Sequence, residues 1–167
     1  KRRRDLNGPP MAIAHFLGHV YVCKILNKAD LADPELVKVW LRFFDKQKGI
    51  KARPTTTEDR GSIRQLTPLM SQMLPEKGEG KTITTMIAGI PNVGKSTIIN
   101  ILANKKVAKT GNEPAVTKGQ QRINIGDGVT LLDTPGVLWP NVENIYSGYR
   151  LATIGSIKET AMDYADA

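Results

Sequence analysis

The residues best equipped for chemistry stand at Gly89-Ile90-Pro91-Asn92-Val93-Gly94-Lys95-Ser96-Thr97, where two glycines with four residues between them precede a lysine and two hydroxyls. Glycines at this spacing let a backbone wrap closely round a phosphate. A helix starting at the second glycine adds its N–H groups and the positive end of its dipole to the lysine ammonium. On this reading Asn92, Val93, Gly94, Lys95, Ser96 and Thr97 bind a nucleotide polyphosphate, and Ser96 holds Mg2+. Asp133-Thr134-Pro135-Gly136 follows, 37 residues after Ser96. Asp133 closes an apolar strand, where a carboxylate can reach Mg2+ through water, and the Gly136 N–H can meet the terminal phosphate. Taken alone, Asp-Thr-Pro-Gly is also an ordinary turn.

A third group, Asn27-Lys28-Ala29-Asp30, has the chemistry of a guanine reader. The Asp30 carboxylate can accept from the ring N–H and the exocyclic amine of guanine, groups that adenine lacks. Asn27 can contact the base and brace the phosphate loop, and the Lys28 stem can cover the ring face. A site built around such polar groups rejects the analogue lacking them by up to ~10⁴ to 10⁵, because its own groups stay unpaired. The competing reading is a helix start rich in Asn and Asp.

The composition suits such a site. The 167 residues are 40% hydrophobic and 24% charged, as expected of a compact globular domain. No apolar run reaches the ~18 to 20 residues of a membrane-spanning helix. The single cysteine, Cys23, cannot form an internal disulfide, and with only His15 and His19 beside it cannot complete a zinc site, so a reducing, cytoplasmic location is expected. Net charge is +8, while residues 141–167 are net acidic, so the excess lies toward the front: Lys1-Arg2-Arg3-Arg4, then Lys46, Lys48, Lys51 and Arg53, then Lys105, Lys106, Lys109 and Lys118. Such an excess favours polyanionic partners, although a solvated surface has the same composition. Lys1–Arg4 ahead of the apolar Met11–Cys23 has the order of a secretory leader. His15 and His19 interrupt it and no small-residue cleavage site follows, so no leader is expected.

The elements that must position these residues follow from hydrophobic period and punctuation. Val20–Leu26 reads as a strand buried on both faces, and Asp33-Pro34 caps a helix that Gly49 ends. Its stripe of Leu36, Trp40, Phe43 and Phe44 reads as core packing. Ile50–Thr56 reads as a short strand, Ser62–Leu74 as an amphipathic helical segment that Pro68 kinks or shortens, and Gly78-Glu79-Gly80 as a linker. Ile83–Ala88 then reads as a buried strand leading through the phosphate loop into a helix over Lys95–Asn104. Gln121–Ile125 and Val129–Leu132 flank a Gly126-Asp127-Gly128 hairpin turn, and the chain after Pro140 is helical in pattern through Tyr149, Leu151, Ile154 and Ile157. The alternation predicts an α/β fold with a mainly parallel sheet.

Motif order carries further information. Common small GTPases place the phosphate loop first and Asn-Lys-x-Asp last, whereas here Asn27 precedes Gly89 by 62 residues and no second Asn-Lys-x-Asp follows Gly136. The order predicts a circularly permuted sheet, a rewiring that closely spaced chain ends make cheap.

From about Ile25 onward the chain resembles the circularly permuted bacterial ribosome-assembly GTPases of the ribosome biogenesis GTPase A type. The resemblance rests on Asn27–Asp30, Gly89–Thr97, Lys109-Thr110-Gly111, Pro114-Ala115-Val116-Thr117, Asp133–Pro140 and Gly155-Ser156-Ile157-Lys158. It implies a three-layer P-loop GTPase fold, a permuted GTPase domain over 21–150, a basic segment over 1–20 and the start of a C-terminal helical segment over 151–167. It also implies GTP and GDP as ligands and a role in maturing the large ribosomal subunit, with ribosomal RNA and subunit proteins as partners and no membrane. Lys95, Thr117 and Asn92 are the residues expected to serve hydrolysis. Ser96, Thr117 and Asp133 are expected around Mg2+, and Asn92 stands where related GTPases hold K+.

Thr56 and Thr57 fall where the resemblance places a second guanine-contacting loop, without the usual Ser-Ala pair. Ala115 stands where the family usually has glycine, and residues 1–19 lack the family's Asp-Ala-Arg strand. Val137 and Leu138 occupy the place of the water-orienting glutamine of Ras-like enzymes, which implies slow intrinsic turnover. Two rival expectations are a GTP-controlled RNA-binding scaffold with negligible turnover and an ATPase.

Overall fold

The structure, a computed structural model, describes residues 20–74, 82–108, 120–138 and 145–157. The basic N-terminal segment, His15, His19, the Gly78-Glu79-Gly80 linker, the Lys109–Thr117 motifs and Lys158 lie outside them. The chain divides into two compact units, Lys1–Ile83 and Thr84–Ala167.

In the first unit β1 (Val22–Asn27) pairs in parallel with β2 (Ile50–Thr55), with Val22 opposite Ile50 and Asn27 opposite Thr55. The expected burial of β1 on both faces is not met, because every position of this strand is only half-buried in its two-stranded sheet. β2 alternates instead, burying Ile50, Ala52 and Thr55. Pro54 is tolerated because, among the described strands, β2 pairs with β1 alone, so no donor is called for on both of its edges.

Helix α1 (Pro34–Asp45) connects the two strands. It begins as the sequence dictates, with the Asp33 carboxylate accepting from the backbone N–H groups of Glu35 and Leu36 at 2.8 and 3.2 Å and Pro34 in the first turn. It ends at Asp45, before Gly49, and the Asp45 carboxylate takes the Ala52 N–H of β2 at 2.8 Å. The apolar stripe of α1 is not core. Leu36, Trp40 and Phe43 are 59%, 46% and 45% exposed, and α1 buries no residue fully.

The reason lies in the small sheet beneath α1, which covers little of a wide apolar face. These side chains therefore forgo most of the roughly 1.5–3 kcal/mol that full burial brings. The aromatics cover one another instead: Trp40 stacks on Phe44 at 5.7 Å between centroids, Phe43 meets both edge-on, and the Lys24 ammonium lies 4.1 Å from the Phe44 centroid.

The helix expected over Ser62–Leu74 is two helices, α2 (Arg60–Arg64) and α3 (Leu66–Gln72), meeting at Gln65. Pro68 shortens the helix, one of the two expected outcomes, rather than kinking its interior. It falls in the first turn of α3, where its missing N–H has no intrahelical partner to lose. Ile63, Leu66 and Leu69 supply the buried side of this pair.

The second unit holds a three-stranded sheet in the order β3 (Ile83–Ile87), β5 (Val129–Asp133), β4 (Gln121–Gly126). β4 and β5 form the expected hairpin and are antiparallel, whereas β1 and β2 are parallel, so the described strands include both pairings. The turn is legible in its residues: Asp127 and Gly128 both have positive φ, +49° and +69°, the combination that matches the twist of a tight hairpin. Helix α4 (Lys95–Leu102) buries Ile98, Ile99 and Leu102, while Ile123, Val129 and Leu131 are buried in the sheet, and α5 (Ile145–Thr153) adds Leu151. After α4, the Asn100 side chain accepts from the N–H groups of Val107 and Ala108 at 2.9 and 2.8 Å and donates to the Ala108 carbonyl at 2.9 Å.

Candidate functional site

In the first unit the parallel pairing brings two loops to one sheet edge. Asn27 and Thr55 are register partners at the C-terminal ends of β1 and β2, so Lys28–Asp30 and Thr56–Thr57 leave the sheet side by side. The Thr55 hydroxyl donates to the Asn27 side-chain oxygen at 3.0 Å, with Thr55 buried. Lys28 takes the left-handed conformation at φ +58°, turning the chain into a short 3-10 helix over Ala29–Leu31. Lys28 and Asp30 are exposed there. Thr56 opens a turn, its backbone N–H donating to the Ser62 hydroxyl at 3.3 Å and its own hydroxyl accepting from the Glu58 N–H at 3.2 Å.

The second unit assembles the phosphate-loop residues. β3 ends at Ile87, the loop runs through Asn92 at φ +59° and Gly94 at φ +94°, and α4 starts at Lys95. Left-handed positions of this kind let successive N–H groups converge on an anion. The Lys95 ammonium curls back onto the loop, donating to the carbonyls of Gly89 and Ile90 at 3.0 and 2.8 Å. Burial lowers its pKa from the usual lysine value, partly offset by the Asp133 carboxylate. Ser96 and Thr97 follow in the first turn of α4, half-buried.

Asp133 closes β5, 1% exposed, and its Oδ1 has no hydrogen-bond partner. Burial pushes its carboxyl pKa up, against the opposing pull of Lys95 and the Thr134 N–H. A buried carboxylate oxygen left without a donor is costly, and a hard divalent cation is the kind of ligand that would satisfy it. The following residues pack on the loop: the Thr134 hydroxyl donates to the Ile87 carbonyl at 2.7 Å, the Val137 N–H donates to the Gly89 carbonyl at 3.2 Å, and Gly136 lies against Pro91. The Val137 side chain is exposed.

Asn92, Lys95, Asp133 and Gly136 are thus gathered in one unit, and Asn27–Asp30 with Thr56 and Thr57 in the other. Thr117 lies outside the described residues. Three residues contribute to which the sequence assigns no individual role: Thr55, and, inside the Asp133–Gly136 and Gly155–Lys158 motifs, Thr134 and Ser156, the last with its hydroxyl donating to the Pro91 carbonyl at 2.6 Å. The first could have been found by pairing the two strands end to end, since that sets a threonine opposite Asn27. For the other two the motifs mark the positions, and the folded contacts show what each hydroxyl bonds.

Residues 84–162 match the family model described as 50S ribosome-binding GTPase. The chain is 44% identical over 151 residues to ribosome biogenesis GTPase A of Priestia megaterium, covering 85% of this chain and 52% of that protein. The chain is similar over most of its length to ribosome biogenesis GTPase A. The protein of that name from Thermotoga maritima is 35% identical over 80% of this chain and 47% of its own length. Mitochondrial ribosome-associated GTPase 1 of Mus musculus is 34% identical over 84% of this chain and 49% of its own length. The chain therefore spans about half the length of the curated relatives it matches. Every residue of the candidate phosphate site from Gly89 to Gly136 falls inside the stretch matched by the family model.

Proposed function

We propose that the chain is the nucleotide-handling part of a circularly permuted GTP-hydrolysing switch that assists maturation of the large ribosomal subunit in the cytoplasm. The observation that carries the reading is the partnerless, buried Asp133 oxygen in the same unit as a phosphate loop whose Lys95 is drawn onto its own carbonyls. Both groups are set up for a ligand that brings a cation and negative oxygens together. The names of the relatives supply the ribosomal context.

Asp30 accepts the two guanine donors, Asn27 contacts the base while Thr55 holds its side chain, and the exposed stem of Lys28 covers the ring. Thr56 and Thr57 flank the base from the neighbouring strand end. The N–H groups of Asn92–Thr97 receive the phosphates, and Lys95 leaves the Gly89 and Ile90 carbonyls for the β and γ oxygens. Ser96, Thr117 and Asp133 are the residues that would hold Mg2+, which when bound neutralises charge on those oxygens. Asn92 is the candidate for K+. Gly136 meets the γ-phosphate, so its loss releases the segment that leads toward α5.

Hydrolysis places little covalent demand on the protein, so positioning of the attacking water decides the rate. Val137 and Leu138 cannot hold that water, which makes the isolated chain slow and leaves the ribosomal particle to complete the site. The basic excess, +8 overall, suits contact with ribosomal RNA. Among the described residues no helix is long and apolar enough to cross a membrane.

Multiple-turnover phosphate release, measured with GTP and with ATP and with and without large-subunit precursors, tests the proposal. GTP turnover that is slow alone, rises with the particles and is not matched by ATP is the expected result. GTP binding without turnover in either condition supports the scaffold reading instead, and equal use of ATP supports an ATPase.

A further inference from the structure

The C-terminal end of α5 is fixed by its own sequence. The Gly155 N–H donates to the Ala152 carbonyl at 2.7 Å and the Ser156 N–H to the Leu151 carbonyl at 2.8 Å, the reversed pair of bonds that closes a helix through a left-handed residue. Gly155 occupies that position at φ +67°, where other L-residues are strained. The turn then engages the phosphate loop at two successive residues. The Asn92 side-chain amide donates to the Gly155 carbonyl, and the Ser156 hydroxyl donates to the Pro91 carbonyl at 2.6 Å, with Ser156 1% exposed.

Chemistry makes this contact directional. A carbonyl can only accept, so Asn92 must turn its amide nitrogen to Gly155, which fixes where its oxygen lies. Asn92 itself has φ +59°, the left-handed state that asparagine adopts more readily than other non-glycine residues. The space for this arrangement is already filled, since a Cβ on Gly155 would stand 3.2 Å from the Asn92 amide nitrogen. None of these groups is needed to finish the helix. They bind the loop after the helix has been capped.

We propose that Gly155 and Ser156 are positioning residues for the phosphate loop: the capped end of α5 holds Pro91 and Asn92 in the conformation that receives a nucleoside diphosphate. Affinity for that ligand is then coupled to the state of the α5 terminus. The proposal rests on the nucleotide-binding reading above. Linkage makes the coupling reciprocal, so a bound diphosphate must also tighten the helix end.

The experiment uses the full chain with GDP. Hydrogen exchange is followed at the Gly155 and Ser156 amides with and without GDP, with the hairpin amides of Gly126 and Gly128 as an internal comparison. GDP affinity and ligand-free urea midpoint are measured for the wild type and Ser156→Ala.

GDP is expected to slow exchange at Gly155 and Ser156 by a larger factor than at the hairpin, and Ser156→Ala to weaken GDP about fivefold, as the loss of one buried hydrogen bond implies. GDP binding with no preferential slowing at Gly155 and Ser156 overturns the proposal, and this arm decides it even where the variant does not fold. A variant with a lower urea midpoint but wild-type GDP affinity also overturns it, by reducing Ser156 to a purely structural role. A wild-type chain that binds no GDP brings down the nucleotide reading itself, and the coupling with it.

Discussion

Gly136 is pressed against the backbone of Pro91: a Cβ built on Gly136 would stand 2.8 Å from both the Cα and the N of Pro91. Two motifs 45 positions apart in sequence therefore touch, and the Val137 N–H bond to the Gly89 carbonyl joins them a second time. The glycine of Asp-Thr-Pro-Gly is required here for close packing of two backbones, independently of any phosphate it meets.

Gly136→Ala forces the segment after β5 away from the phosphate loop, because the atoms in its way are backbone rather than a flexible side chain. Overpacking of this kind costs about 1–3 kcal/mol. A drop of that size in urea-derived stability, with weakened GDP binding, is expected. Wild-type stability would show that the two backbones separate freely.

Asp133 gives the ligand-free chain a pH dependence of definite sign. Burial raises its carboxyl pKa, so the folded chain keeps this proton to higher pH than the unfolded chain does. From the ordinary carboxylate range, about pH 4, up to the raised value, each increase in pH then lowers stability. Asp133→Asn should flatten that part of the profile and stabilise the ligand-free chain at neutral pH by about 1 kcal/mol. The same variant should lose the Mg2+ dependence of nucleotide binding. Urea midpoints across the range check the first claim, and an unchanged slope would contradict it.

Thr55→Val keeps the shape of a buried residue while removing the donor to the Asn27 oxygen. A stability loss of about 1 kcal/mol is expected, with a several-fold weaker preference for guanine as Asn27 loses its orientation. Competition between GDP and ADP on the variant measures this, and unaltered selectivity would remove Thr55 from the base-reading edge.

Asn100→Ala deletes the acceptor for two N–H groups and the donor to one carbonyl in the loop that follows α4. Leaving part-buried groups without partners should cost about 2 kcal/mol. Thermal unfolding tests this, and a shift indistinguishable from zero would mean that solvent replaces all three bonds.

Much of this was legible in the sequence because local chemistry set it. Asp33-Pro34 capped α1, Gly126-Asp127-Gly128 turned the hairpin, and the glycine spacing before Lys95 placed a strand, a loop and a helix in that order. What failed depended on neighbours rather than on local pattern. The stripe of Leu36, Trp40 and Phe43 has a helical period, but period reports a common face and not the area available to cover it. Pro68 marks an interruption of the helix, but whether that is a kink or a shortening depends on where α3 begins. Ser156 stands in the Gly155-Ser156-Ile157-Lys158 motif, but its bond is not legible there, since its partner is a carbonyl 65 positions away.

The central proposal is that the chain binds a guanine nucleotide and that Asp30 reads its base. It is tested most directly by titrating the wild type and Asp30→Asn with GDP, ADP and xanthosine diphosphate. The account predicts that the wild type prefers GDP strongly over ADP, that Asp30→Asn loses most of its GDP affinity, and that the variant gains affinity for the xanthine nucleotide. Unchanged GDP affinity in Asp30→Asn, or equal binding of ADP and GDP by the wild type, would contradict it.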